Sequence, residues 1–479
     1  MPLSFQELPV LKEEPTTRRR DRVFKRKASQ QEKLDDLTKE LLLTDETYER
    51  VMRVLDEEMT KGLGKETNAD AVIKMFPTYV HHLPDGTEQG NFLALDLGGS
   101  NFRVLLIVLH GKSVEMKSRI YSISDDLKTG VGEKLFDHIA DCIARFMEEN
   151  NLKGMQLPLG FTFSFPCKQH GLSKATLVKW TKGFSCEGVE NEDIVKLLHA
   201  AIDKRKDIDV ECLAVINDTV GTLMACAHKD QNCKIGLILG TGTNACYVEK
   251  LDRVELWDGE TDVHEQVIIN TEWGAFGDND ALDFVRTKFD RDIDSSSIRP
   301  GKQVFEKMIS GMYMGEIARR AIVNLIDEHN LLQGELTLEL STRDRFYTKY
   351  VSEIESDVDG RYKITKNIFR ELGYDDIDAA DCRTVQYVCS LVSARAAYLS
   401  SAGIAAIINR INSPEITVAI DGSLYRFHPK FRDLMMEKIE ELINPGIKFK
   451  LELSTDGSGK GAALVAAVAY RMKMQQLST

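Results

Sequence analysis

Apolar residues in this chain fall into two patterns, and each predicts its own kind of element. Tyr48, Val51, Met52, Leu55 and Met59 recur at helical spacing, with Thr44 or Asp45 as the cap and Gly62 as the stop. Regions 134–150, 192–204, 302–330 and 377–410 show related spacing and are predicted helices. Elsewhere the apolar runs are short and rich in β-formers. GNFLALDLGGSNFRVLLIVLH (90–110) reads as strand, tight glycine turn, strand, because Gly-Gly-Ser-Asn splits it. KIGLILGTGTNACYVEK (234–250) repeats that design, and VAIDGSLYRFHP (418–429) sets another glycine turn after a strand. TDGSGKGAALVAAVAYRMKM then reads as a glycine-rich loop running into a helix of small apolar residues, which predicts close packing of that helix on a sheet.

Helices interspersed with strands predict an α/β protein. Two strand–glycine loop–strand units, over a hundred residues apart, predict an internally duplicated architecture with one phosphate loop from each half. At 479 residues and 54.0 kDa, two domains with a cleft between them are the expectation.

Charge and composition narrow the function. A net charge of −13 argues against a general nucleic-acid binder, but not against a phosphate ligand held by a few aimed donors. The 9 cysteines form no CxxC pair and no zinc-spaced cluster, a pattern that fits reduced thiols in the cytoplasm. No unbroken apolar run reaches about 18 residues, so no membrane span is expected. MPLSFQELPVLKEEP lacks the apolar core of a signal peptide. Residues 1–30 carry a basic run from Arg18 to Lys27, read as a solvated arm or as a docking or phosphorylation segment around Ser29.

The glycine loops carry the first candidate chemistry. In Asp96-Leu97-Gly98-Gly99-Ser100-Asn101, bare backbone N–H groups approach an anion, Ser100 donates to a phosphate oxygen, and Asp96 holds Mg²⁺ directly or through water. Gly240-Thr241-Gly242-Thr243-Asn244 offers the same combination. Either loop alone is weak evidence, since a glycine-rich hairpin is often merely a turn. No GxxxxGK[ST] and no strand-to-helix GxGxxG occurs, which excludes a P-loop kinase and a dinucleotide-binding domain.

A second constellation sets polar groups among aromatic ones. Ser164 stands beside Phe165 and Pro166, and Trp180 precedes Thr181 and Lys182. Asn217 and Asp218 follow a strand, Asn270 and Glu272 sit beside Trp273, and KQVFEK carries Gln303 and Glu306. Acceptors, amides and flat apolar surfaces are what a sugar requires. Each residue also has a plainer reading: Asp218-Thr219 as a helix cap, Lys182 as a surface lysine, the aromatics as core.

FLALDLGGSNFRVL, LGFTFSFPC, WTKGF, INDTVGTL, GTGTNACY, NTEWGAFGD, VAIDGSLY and GSGKGAALVAAVA together resemble the hexokinase family, the eukaryotic hexokinases and glucokinases of the actin-like ATPase superfamily. The resemblance spans about 34–475. It implies a two-domain actin-like ATPase (ribonuclease H-like) fold, with 31–82 plus 218–456 as the large domain and 83–217 plus 457–479 as the small one. It implies transfer of the γ-phosphoryl group of MgATP to the 6-hydroxyl of glucose or a related hexose, with Asp218 as catalytic base and Lys182 as its charge-stabilising partner. Sugar contacts fall on Ser164, Phe165, Pro166, Thr181, Lys182, Asn217, Asp218, Asn244, Asn270, Glu272, Gln303 and Glu306. Nucleotide contacts fall on Asp96, Gly98, Gly99, Ser100, Asn101, Arg103, Gly240, Thr241, Gly242, Gly422, Ser423, Gly457, Ser458 and Gly459, with Thr348 and Ser352 on the adenine side. Ser100 stands where many members have Thr, and Lys302 where Gln is common.

A single catalytic unit, working as a monomer or homodimer and inhibited by glucose 6-phosphate, fits the same pattern. Two rivals remain: a sugar sensor that has lost catalysis, and an actin- or chaperone-like ATPase acting on protein. The first would lack Asp218, Lys182 or a phosphate loop; the second leaves the sugar constellation without a purpose.

Overall fold

Each glycine-split segment folds as an antiparallel hairpin, and each hairpin seeds its own sheet. The computed structural model describes residues 34–36, 39–98, 102–259, 265–329, 331–357 and 359–477. The basic run, Ser29, Gly99, Ser100 and Asn101 lie outside the described residues. In chain order the strands are β1 Phe76–Pro77, β2 Gln89–Leu97, β3 Phe102–His110, β4 Ser113–Tyr121, β5 Gln156–Phe163, β6 Cys167–Gln169, β7 Ala175–Leu177, β8 Asp209–Ile216, β9 Cys233–Leu239, β10 Thr243–Lys250, β11 Gln266–Asn270, β12 Glu415–Asp421 and β13 Lys448–Leu453.

One sheet runs β4-β3-β2-β5-β8, and the other β1-β11-β10-β9-β12-β13. Setting β1 aside, both have the order 3-2-1-4-5, with the first three strands antiparallel and the last two added in parallel. The duplication expected from the two hairpins is therefore present in the topology. In the first hairpin the register runs from Gln89 opposite His110 to Leu97 opposite Phe102. In the second it runs from Thr243 opposite Leu239 to Tyr247 opposite Ile235. The short β6–β7 hairpin stands apart.

Two helices lie between the sheets. Asp218–Ala227 joins β8 of one sheet to β9 of the other, and Gly457–Leu477 packs along it and across β5, β2 and β8. Their small residues, with Ala94, Ala214, Cys246 and Ala419 from the strands, make one apolar cluster shared by both sheets. A Cβ on Gly461 would lie 2.0 Å from the Gly221 oxygen, and one on Gly221 would lie 2.7 Å from the Ser458 oxygen. Only glycine at both positions allows these helices to touch backbone to backbone. Each sheet also has its own core on its outer face, the larger built on the six-stranded sheet.

Three element expectations are corrected. Helix Asp45–Leu63 does not stop at Gly62 but ends at the Gly64 cap, with Thr44 as its N-cap. Gly62 is there for space, since a Cβ would lie 2.3 Å from the Ile73 oxygen. Region 302–330 is two helices, Val304–Ile309 and Gly311–His329, broken where Ser310 is extended. The break lets the N–H groups of Gly311 and Met312 donate to the carbonyls of Gly240 and Thr241 (2.9 and 3.1 Å). Finally, the glycines of GSGKG are the first turn of helix Gly457–Leu477 and not a loop.

Helix Ala379–Ile411 is long and apolar enough to cross a membrane by length and composition alone. It is instead a core helix, with 89% of its most apolar window buried and helices Asp45–Leu63, Gly311–His329 and Phe431–Leu442 packed around it.

Candidate functional site

Strand ends and helix starts bring the predicted residues together. β8 ends at Ile216, and Asn217 caps the next helix by accepting from the Thr219 N–H at 3.0 Å. Asp218 is thereby the first residue of that helix. The cap reading of Asp218-Thr219 is thus corrected: the cap is Asn217, and both residues of that pair lie in the first turn of the helix. Lys182 Nζ lies 3.9 Å from Asp218 Oδ2 and donates to the Ser164 carbonyl at 2.8 Å. Ser164 follows β5, its N–H held by the Leu97 carbonyl.

On one side of Asp218 is an amide–carboxylate network. Asn244, on β10, donates Nδ2 to Asn270 Oδ1 (2.8 Å) and Glu272 Oε1 (3.3 Å), and Asn270 Nδ2 donates to Glu272 Oε1 at 2.8 Å. Asn244 Nδ2 also reaches Asn217 Oδ1 at 3.4 Å. Glu306 accepts from the Thr243 N–H at 3.0 Å. Burial pushes Glu272 up to about 7, helped by the charges of Asp218 and Glu306 and opposed by Asn270 and Lys182. Burial raises Glu306 as well. Half-buried carboxylates with spare acceptor capacity suit donor-rich ligands such as polyols.

Three of these residues hold the left-handed backbone conformation: Lys182 (φ 54°), Glu272 (φ 56°) and Gln303 (φ 58°). Each costs on the order of 1–3 kcal/mol, so the surroundings must enforce it. Trp180 is buried among Phe163, Phe165 and Phe184, which also accounts for Phe165 as core. Trp273 is buried and donates Nε1 to Thr243 Oγ1 at 3.1 Å. These anchors immediately precede Thr181-Lys182 and follow Glu272. Pro166 accepts the Val178 N–H through its carbonyl and is half-buried. No hydrogen bond links the Thr181 or Gln303 side chain to the network among the described residues; the Gln303 amide oxygen lies against the Gly274 backbone. Lys302 is exposed and sits 3.8 Å from Asp278.

On the other side the glycine turns converge. Asp96 Oδ2 accepts from Arg103 Nη2 (2.6 Å) and Ser458 Oγ (2.7 Å), and Arg103 also reaches Asp456 at 2.6 Å. The Gly457 N–H donates to Asp421 Oδ2 at 3.3 Å. Gly422, at φ 132°, packs so closely on the second hairpin turn that a Cβ would lie 2.1 Å from the Leu239 oxygen and 2.7 Å from the Gly240 nitrogen. Gly98, Gly240–Gly242, Gly422–Ser423 and Gly457–Gly459 thus border one region. Thr348 stands one contact away: its hydroxyl donates to the Gly311 carbonyl at 2.6 Å and accepts from the Gly315 N–H at 2.9 Å. Ser352 lies one helical turn beyond it.

Asp421 and Asp456 were missed as site residues. Asp421 ends β12 just before Gly422, much as Asp96 stands near the end of β2 before Gly98, and that shared placement was the available signal. Burial raises the Asp421 pKa, with a contribution from the nearby Asp218 charge.

Among the described residues no cluster of three or more His, Cys, Asp or Glu side chains is arranged to hold a metal ion. With Asp96 Oδ2 already taken, the donor set fits a Mg²⁺ that arrives on phosphate oxygens and keeps its waters, and does not fit a dedicated protein cage.

Family models described as hexokinase match residues 33–228 and 234–468. A hexokinase from Schistosoma mansoni is 47% identical over 447 residues, covering 92% of this chain and 98% of that protein. Human hexokinase-1 is 46% identical over 94% of this chain, which spans only 49% of the human protein's length. The solved structure of the Schistosoma mansoni hexokinase complexed with glucose superposes with a TM-score of 0.85, covering 92% of this chain and 99% of that one. A second hexokinase crystal structure, 31% identical, gives 0.80 over 92% of this chain and all of that one. With both halves matched, and the fold shared nearly end to end with these relatives, the protein belongs to the hexokinase family.

Proposed function

We propose that this chain transfers the γ-phosphoryl group of ATP to the 6-hydroxyl of glucose and related hexoses, releasing ADP and the hexose 6-phosphate. The observation that carries this reading is the position of Asp218. It lies at a helix N-terminus beside Lys182, with the Asn–Glu network on one side and the converging glycine turns on the other.

In this reading the bond between the sugar O6 and the γ-phosphorus forms as the bond to the β-phosphate oxygen breaks. The proton of the hydroxyl passes to Asp218. A carboxylate is too weak a base to remove it beforehand, so Asp218 orients the hydroxyl and accepts the proton as the new bond develops. Lys182 balances charge on the transferred group. Asn244, Asn270, Glu272 and Glu306 grip the sugar from the six-stranded sheet and its connections, and Ser164, Thr181, Lys182 and Asn217 from the five-stranded sheet and its connections. Backbone N–H groups of the glycine turns hold the phosphates, and Arg103 with Ser458 keeps the Asp96 carboxylate aimed. Asp96 would be the residue that holds Mg²⁺, which when bound would supply charge neutralisation at the phosphates.

ADP release from MgATP, measured with and without glucose, tests the reading. Wild-type turnover should depend on glucose, and Asp218→Ala should lose about 10²–10⁴ in kcat while still binding nucleotide. Glucose binding without turnover would indicate a sensor, and glucose-independent hydrolysis an ATPase of another kind.

A further inference from the structure

Outside the residues already assigned, one side chain ties the two sheets together beside the sugar side of the cleft. Arg299 donates Nη2 to the Trp180 carbonyl at 2.8 Å. Trp180 belongs to the core of the five-stranded sheet, whereas Arg299 precedes helix Val304–Ile309, whose apolar side chains belong to the core of the six-stranded sheet.

Both ends of this bond are rigid, and both adjoin sugar-side residues. Trp180 is fixed by Phe163, Phe165 and Phe184, by its indole N–H on the Cys186 carbonyl (3.0 Å), and by its backbone N–H on Glu190 (2.8 Å). The next two residues are Thr181 and Lys182. At the other end, the buried Lys307 ammonium donates to the Arg299 carbonyl (2.8 Å), Asp294 Oδ1 (2.6 Å) and Ser297 Oγ (2.9 Å). Asp294 also accepts from the Gly301 N–H at 2.9 Å. Lys307 is the neighbour of Glu306, so one short helix carries a sugar-side carboxylate and pins the loop that presents Arg299. The Arg299 guanidinium pairs with no carboxylate among the described residues, so its charge is directed at a backbone carbonyl across the cleft.

We propose that Arg299 is a positioning residue for the sugar: a latch that holds the Thr181–Lys182 segment against the wall carrying Glu272 and Glu306. It acts through Trp180 and need not touch the substrate. The inference rests on the hexose-kinase reading above. A latch of this kind favours the arrangement in which both walls grip the sugar, and losing it weakens hexose binding more than nucleotide binding.

The test is steady-state kinetics of the full chain carrying Arg299→Ala and Arg299→Lys, with glucose and MgATP varied separately. Arg299→Ala should raise the glucose KM about tenfold, the equivalent of ~1.4 kcal/mol. The ATP KM should stay within about twofold of wild type, as should the melting temperature within ~2 °C, and Arg299→Lys should recover part of the glucose affinity. An unchanged glucose KM would overturn the proposal. So would a parallel rise in both KM values with a lower melting temperature, which marks a merely structural role. If Arg299→Ala does not fold, the same split is read on Arg299→Lys as a smaller glucose-specific rise, and its absence overturns the proposal. A wild type without glucose-dependent turnover would instead refute the kinase reading on which the latch rests.

Discussion

Glu272 costs the protein stability at neutral pH, and replacing it with glutamine should reveal how much. Its carboxyl is held at about 7 in the folded chain, chiefly by burial, against an ordinary value of 4.5. Below pH 4.5 the group is protonated in both folded and unfolded states and makes no difference. Between 4.5 and about 7 the folded chain keeps the proton that the unfolded chain has lost, so this group's contribution to stability falls as pH rises. Above about 7 both states are ionised and the whole penalty applies. At ~1.36 kcal/mol per pH unit, the gap from 4.5 to about 7 amounts to about 3 kcal/mol. Glu272→Gln keeps the shape and an acceptor oxygen for Asn270 and Asn244 but removes the ionisation. With an unfolding entropy of ~2.1 cal/mol/K per residue, the variant should melt about 3 °C higher than wild type at pH 8, and no higher at pH 4.5. The assay is thermal unfolding of both proteins across that range without ligand. Equal melting curves at pH 8, or a gain of the same size at both pH values, would refute the reasoning. Glucose affinity should move the other way. In the wild type it should strengthen as pH rises through about 7 and Glu272 ionises into a better acceptor, and in Glu272→Gln it should be weak and lack that step.

Two further predictions come from close contacts. Gly461→Ala places a Cβ 2.0 Å from the Gly221 oxygen, so the two central helices must separate; a loss of about 1–3 kcal/mol should appear as a lower melting temperature, and an unchanged one would count against the close packing. Arg103→Ala leaves Asp96 with Ser458 alone and takes Arg103 from Asp456, so the ATP KM should rise about tenfold while the glucose KM holds steady; equal effects on both would place Arg103 outside the nucleotide side.

Much of the fold was legible because local chemistry and tertiary structure agree. The two glycine-split apolar segments became hairpins as expected, and their repetition announced the duplicated architecture. Helix ends were less legible. Gly62 looks like a stop but lies within a helix, because Ile73 and Met75 from a later segment leave no room for a side chain. The glycines of GSGKG look like a loop but begin a helix, and they are there for space: Thr222 lies against Gly457, Leu105 against Gly459 and Gly221 against Gly461. A glycine required for backbone flexibility and one required for space read the same in a sequence.

The site divides along the same line. The sequence by itself determined which residue types stand at strand ends and helix starts: Asp96 and Asp218, the bare glycine turns, and the amides and carboxylates beside Trp180 and Trp273. These follow from local rules, since a strand that ends in Asp or Asn and passes into a helix or turn exposes that side chain at the sheet's edge. Only the tertiary structure decided the left-handed conformations of Lys182, Glu272 and Gln303, the high pKa of Glu272, the part of Asp421 and Asp456, and the reach of Arg299 to Trp180. Each depends on groups far apart in the chain. Burial, charge proximity and backbone strain are set by what packs around a residue, and the neighbours of that residue in the sequence do not specify it.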